Sequence, residues 1–348
     1  MEKVRQSNLE LLRIIAMFMI LVIHANMIAL QRPTSAELIS NPIATTTRYF
    51  IESFGIMGVN IFVMLSGWFL IKTRAKSFYS LVFQVVVLWG GCFLVFLLIG
   101  KTKLTVNNLF EIIAFTRWDW FIKAYIVLMI IAPILNTFVN CSSEKQQRIL
   151  ILGFFLFSIT YGWVGGANRF FVDGYGPLLF IGIYLLSQYA HHALEKDSTP
   201  STVCRLLSFD KKYDLLVFLT CVIINTTMGL YGLYMGKHIY GIVYAYTNPV
   251  TIIAALYLLL FFSKLKIGYN KIVNMLAAGS FAVYLLHSQV DIRPFFNKSV
   301  QFLYSSYNSI SCVVMILVFL VLVYIASVAI DLPRLWMWNK LSKKYNIK

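Results

Sequence analysis

Two ionisable residues, Arg13 and His24, fall inside the first long apolar run of the chain. Titratable side chains in membrane-length apolar segments are costly and tend to mark function. The two are 11 positions apart. At about 100° per residue that is three turns plus about 20°, so they share one helix face, roughly 16 Å apart along the axis. Such a stripe covers about half the hydrocarbon core of a bilayer. It suits a ligand that enters from one side and reacts deeper in. Each residue also has a plainer reading. Arg13 snorkels to headgroups or pairs with Glu10 at i,i+3, and His24 sits neutral, hydrogen-bonded to a neighbouring helix. Ser7 with Glu10 matches an S-x-x-E capping box that would start this helix.

Further candidates are scattered along the chain. Glu52, expected at the depth of His24, either orients its imidazole or pairs with Arg48 at i,i+4. His287 lies toward the outer side of its span, where Gln289 and Asp291 follow. Asn60, Ser66, Tyr125, Asn225, Asn248 and Tyr284 either line a pocket or make helix-to-helix hydrogen bonds. His191, His192 and His238 fall at helix ends or in loops, where a solvated histidine is expected. The five cysteines, at 92, 141, 204, 221 and 312, show no C-x-x-C spacing, so neither a disulfide framework nor a metal site is expected.

The elements that must position these residues are membrane helices. The 348 residues are 59% hydrophobic and 13% charged, far from a soluble domain at about 25% charged. A soluble enzyme, a disordered chain and a secreted disulfide scaffold are excluded. Windows of about 19 residues give ten candidate spans, at 9–30, 50–71, 79–99, 120–139, 149–166, 175–191, 213–234, 242–262, 273–290 and 310–331. The expected fold is an all-α polytopic bundle of about ten helices, one integral-membrane domain over 1–348 with no appended soluble domain. The formal net charge of +16 falls mostly in alternate loops. That satisfies the positive-inside rule with both termini cytoplasmic in a cell membrane, and removes nucleic acid as a partner. Leu9 to Leu30 lacks a convincing cleavage site and reads as a retained helix. The segment from Asp291 to Asn308 reads either as an amphipathic helix on the outer surface or, the preferred reading, as an interfacial aromatic belt with no ligand, and Trp336 and Trp338 beside Arg334 and Lys340 read as an inner-surface anchor.

Four motifs in order resemble the membrane-bound acyltransferase family 3. NLELLRIIAMFMILVIH, carrying Arg13 and His24, is similar to the family's first-helix motif, and GVNIFVMLSGWFL, Gly58 to Leu70, to its second-helix motif. WFIKAYIVLMIIAPIL, Trp120 to Leu135, and SFAVYLLH, Ser280 to His287, resemble two more, and the resemblance spans about residues 5 to 330. It implies transfer of an acyl group, most often acetyl, from cytoplasmic acyl-coenzyme A to a hydroxyl of a cell-surface or exported glycan or lipid-linked saccharide. Arg13, Lys72, Arg74 and Lys76 would then hold the donor phosphates, His24 would be the catalytic base with Glu52 assisting, and His287, Tyr284, Asn60 and Tyr125 would meet the substrates. The chain departs from the family's W-S-L-x-x-E segment, having Arg117-Trp118-Asp119-Trp120, so Asp119 receives no role. No hydrolase-like domain follows the last expected span, so transfer would finish in the bundle or with a separate partner. Membrane lipids are expected partners, and homo-oligomers or glycan-assembly proteins stay open. The competing reading is a transporter or flippase, since a polar stripe also describes a pathway; against it, the hydropathy shows no inverted repeat.

Overall fold

The protein is described by a computed structural model over residues 5–72, 75–106, 108, 119–165, 170–195 and 202–345. It is 82% helical, with no strand among the described residues. Seven helices are long and apolar enough to cross a membrane: Ser7–Ala29, Pro42–Phe69, Ala75–Leu98, Trp120–Cys141, Glu144–Val164, Lys211–Tyr234 and Ile310–Lys344. The expected span 175–191 is matched by a helix over Pro177–Glu195. Two others correspond to shorter apolar helices, Pro249–Ser263 and Lys271–His287. Seven crossings, rather than about ten, therefore rest on helix length and composition.

The shortening has local causes. Pro249 has no N–H to donate and occupies the first turn of its helix, where none is needed, and the Asn248 side chain caps that turn by accepting from the Val250 amide at 2.9 Å. Upstream only Tyr240–Val243 is helical, so the run expected from 242 is cut by a turn. In the other run Gly279 separates Lys271–Ala278 from Ser280–His287. A Cβ on Gly279 would sit 2.8 Å from the Val328 side chain, so the break lies pressed against the last helix.

The bundle is organised around its first helix, α1 (Ser7–Ile23). It packs against α2 (Pro42–Gly55) and α3 (Gly58–Phe69), and against Pro249–Ser263, both halves of 271–287 and the last helix. From His24 the helix continues to Ala29 as a π-helix, a widened turn found frequently at functional sites. Glycines permit the close approach beside it. A Cβ on Gly55 would fall 2.4 Å from Ile23 Cγ2, and one on Gly58 would fall 2.7 Å from the Ala16 carbonyl oxygen. The expected capping box is not formed. The helix is preceded by Gln6, which makes no side-chain cap. The Ser7 hydroxyl instead accepts from the Asn270 amide at 2.8 Å, and Glu10 pairs with Arg13 at 2.6 Å. Ser7 is thus engaged by another segment and Glu10 by an opposite charge, so neither serves the free amides of the first turn.

Two buried ion pairs meet the demand that an apolar surround places on charge. Asp214, 0% exposed, meets Lys264 Nζ at 2.6 Å, and the same ammonium donates to the carbonyls of Leu207 and Phe209. Asp331 takes Arg334 on both oxygens and also accepts from Gln84, so Arg334 is held inside the bundle instead of anchoring at the surface. The surface contact is Lys340, whose ammonium lies 3.8 Å from the centre of the Trp336 ring.

Replacing Gly58 by Val is expected to destabilise the protein by about 1–3 kcal/mol through overpacking, seen as a lower melting temperature in detergent. Gly90→Val, which meets nothing within 4 Å, should leave it unchanged. Lys264→Met, which strands a buried carboxylate, should cost about 3 kcal/mol, and adding Asp214→Asn should recover most of it.

Candidate active site

The π segment of the first helix forms one wall of a cavity of ≈ 320 Å³. His24 lines it together with Arg32, Glu52, Asp119, Tyr284, His287 and Arg293. Its remaining walls are largely aromatic: Trp120, Tyr175, Tyr240, Tyr244, Tyr246 and Phe296. Trp120 and Tyr246 stack at 29° with ring centres 5.6 Å apart. The helix Arg293–Ser306, expected as a surface element, supplies Arg293, Phe296 and Asn297 to this cavity. It is tied to the first helix where Gln301 donates to the Ala29 carbonyl at 2.8 Å.

Within the cavity the two histidines meet. His24 Nδ1 lies 2.8 Å from His287 Nε2, with ring centres 4.9 Å apart and planes tilted by 44°. His287 is 2% exposed, and its Nδ1 lies 2.6 Å from the Val283 carbonyl oxygen, one turn back along its own helix. The partner of the His24 imidazole is therefore His287 and not Glu52.

Glu52 is committed elsewhere. Its Oε1 accepts from the Tyr240 hydroxyl at 2.7 Å and its Oε2 from Asn26 Nδ2 at 3.3 Å. Asn26 also donates to the Arg48 carbonyl, and its Oδ1 accepts from Arg48 Nε at 3.1 Å. Arg48 further donates to the carbonyls of Asn26 and Gln31, so the i,i+4 pairing anticipated for Glu52 is replaced by a bridge through Asn26. This cluster fixes the π turn that carries His24. Outside the spans, burial pushes the Tyr240 hydroxyl pKa up, reinforced by the Glu52 carboxylate, so Tyr240 remains a donor. Burial likewise raises the Asp119 carboxyl, against the opposing pull of Arg293 and Lys123.

Arg13 opens onto a second cavity, of ≈ 480 Å³, toward the chain termini. Its lining brings four cations together, Arg5, Arg13, Lys72 and Arg334, with Tyr125, Ser66 and Gln84. Arg13 is 27% exposed on its side chain while paired with Glu10. Tyr125 exchanges a hydrogen bond with Ser66 at 3.0 Å. The two cavities share an aromatic wall. Phe121 and Phe281 line the Arg13 cavity, and both pack on Tyr284 of the His24 cavity, with ring centres 5.3 Å and 6.2 Å away.

Of the residues singled out from the sequence, His24, Glu52, His287 and Tyr284 share one cavity, and Arg13, Lys72 and Tyr125 the other. Asn60 lines neither; its side-chain amide donates to the Tyr246 carbonyl at 3.2 Å and so supports a wall residue. Lys76 is exposed and lies outside both linings, and Arg74 falls outside the described residues. Asn225 and Asn248 bond each other at 3.1 Å, the helix-to-helix role. His191, expected in solvent, stacks on Trp68 with ring centres 4.4 Å apart. Sequence reasoning missed Arg5, Arg32, Asp119, Arg293 and Arg334 as lining residues. Asp119 and Arg334 carried a signal, an acidic residue among tryptophans and an i,i+3 pair inside an apolar helix, whereas the others sit in segments whose packing no spacing reveals. Among the described residues, no group of three or more histidine, cysteine, aspartate or glutamate side chains could hold a metal ion.

Comparison with known proteins places this arrangement. A family model described as an acyltransferase domain, that of acyltransferase family 3, matches residues 6–332. Neither a curated protein nor a solved structure matches the chain. The match covers the whole lining of the His24 cavity, most of that of the Arg13 cavity and nearly every membrane-length helix, and the chain belongs to the acyltransferase family 3 of membrane proteins.

Proposed function

We propose that the protein transfers an acyl group, acetyl first among candidates, from cytoplasmic acyl-coenzyme A to a hydroxyl of a cell-surface or exported glycan. The observation that carries this reading is that one helix presents Arg13 to a cationic cavity near the chain termini and His24 to an aromatic cavity at its other end. Both termini then face the cytoplasm, as the distribution of basic residues favours.

Coenzyme A carries several phosphate charges, and Arg13, Lys72 and neighbouring cations offer charge-assisted hydrogen bonds to them. The pairing of Arg13 with Glu10 holds the guanidinium in place without covering it. The acyl arm then reaches past Phe121 and Tyr284 toward His24. On the acceptor side, Trp120, Tyr240, Tyr244 and Tyr246 give flat apolar faces, while Asp119, Glu52, Arg32 and Asn297 give polar groups at intervals. That combination suits a saccharide, with apolar faces and hydroxyl edges, in a pocket of mixed lining. His24 takes the proton of the acceptor hydroxyl as its oxygen bonds to the thioester carbonyl carbon. The carbon–sulfur bond then breaks, and the proton passes to the departing thiolate, giving an ester and free coenzyme A. General-base assistance of this kind contributes about 10²–10⁴ in rate.

Membranes containing the protein, given acetyl-coenzyme A labelled in the acetyl group, should place label in envelope glycan. His24→Ala should lower that transfer by about 10²–10⁴ while donor binding persists. Label that crosses the membrane without forming an ester would overturn the reading in favour of transport. Arg13→Gln combined with Glu10→Gln, which removes the donor contact without stranding a buried carboxylate, should raise KM for the donor by about tenfold or more, as expected for loss of a charge-assisted hydrogen bond worth about 1.5–3 kcal/mol. An unchanged KM would remove Arg13 from the donor site.

A further inference from the structure

Each hydrogen bond along the histidine pair leaves only one position for its proton. A carbonyl oxygen can only accept, so the 2.6 Å contact from His287 Nδ1 to the Val283 carbonyl requires the proton on Nδ1. In neutral His287 the other ring nitrogen, Nε2, then has a lone pair and no proton. That atom faces His24 Nδ1 at 2.8 Å, so His24 Nδ1 must be the donor. A neutral His24 protonated on Nδ1 keeps its lone pair on Nε2, on the ring that lines the cavity. The alternative, a His287 imidazolium, would bury a cation in a side chain that is 2% exposed, packed on Phe296 and Tyr284 and in a cavity also lined by Arg293.

We propose that His287 is a positioning residue: it fixes His24 in the tautomer whose Nε2 accepts a proton, and it holds the imidazolium formed when that proton arrives. The inference rests on His24 being the base of the proposed transfer. The order is Val283 carbonyl, His287, His24, acceptor hydroxyl. It repeats the logic by which a buried group on one imidazole nitrogen makes the other basic, with a neutral ring where a carboxylate would otherwise stand. The cavity's carboxylates, Glu52 and Asp119, do not take that place: Glu52 is spent on Tyr240 and Asn26, and His24 Nδ1 is spent on His287. A neutral orienting group also suits the site physically. A further buried carboxylate, beyond Glu52 and Asp119, would add desolvation cost in the resting enzyme, whereas the imidazole pair carries no net charge until a proton is accepted.

The tautomers can be read directly. Histidine labelled with nitrogen-15 in lipid-embedded protein should give His24 and His287 both protonated on Nδ1, with the two signals assigned by their loss in His24→Ala and His287→Ala. In His287→Ala the His24 signal should move toward the Nε2-protonated form, and kcat should fall by about 10²–10⁴ at an unchanged KM for the donor. In His287→Gln the side-chain carbonyl can accept from His24 Nδ1, so the tautomer and most of kcat should be retained. A wild-type His24 protonated on Nε2, or a His287→Ala variant whose His24 tautomer and kcat are both unchanged, overturns the proposal. The nitrogen signals do not depend on turnover. Absence of transfer by the wild type therefore counts against the proposed function, while the tautomer result decides the pair.

Discussion

An apolar slab gives charged groups nothing to bond to, so charges in the bundle interior draw their partners from the protein itself. That single constraint shapes most of the structure. It draws Lys264 onto Asp214, closes Arg334 on Asp331, and gathers Glu52, Asn26, Arg48 and Tyr240 into one cluster around the end of the first helix. It also explains why the groups with most capacity for chemistry sit where two or more helices meet: only there are enough partners available.

The first helix is where these demands converge. Its α-helical part is clamped by glycine-mediated contacts with the helices that follow, and its π-helical end is stapled by Asn26 and Arg48. A widened turn misaligns side chains relative to an ideal helix, so a π turn held by a buried cluster can set an imidazole direction that regular geometry would not. The direction of the His24 ring thus rests on Asn26 and Arg48, which lie outside the cavity lining.

Much of this was legible in the sequence. The Arg13 and His24 spacing and the membrane-length runs follow from periodicity and residue type, which are local properties, and the four ordered motifs are legible as a resemblance to a family. The helix breaks at Pro249 and Gly279 were visible as residues but not as breaks, because hydropathy windows average over them. The pairing of His24 with His287 joins positions 263 residues apart, and nothing local encodes it. Glu52 illustrates the same limit: i,i+4 spacing offered Arg48, but Asn26 on another helix intervened between them. The capping box fails for a partly related reason: Ser7 has a distant partner in Asn270, while Glu10 is taken by Arg13 one turn along its own helix.

The aromatic wall of Phe121, Phe281 and Tyr284 has a consequence for anything that bridges the two cavities. Arg13 and His24 belong to opposite ends of one membrane-length helix, and three packed rings stand between the cavities they line. A ligand that spans both would therefore run across ring faces there, where contact is made by shape and not by charge.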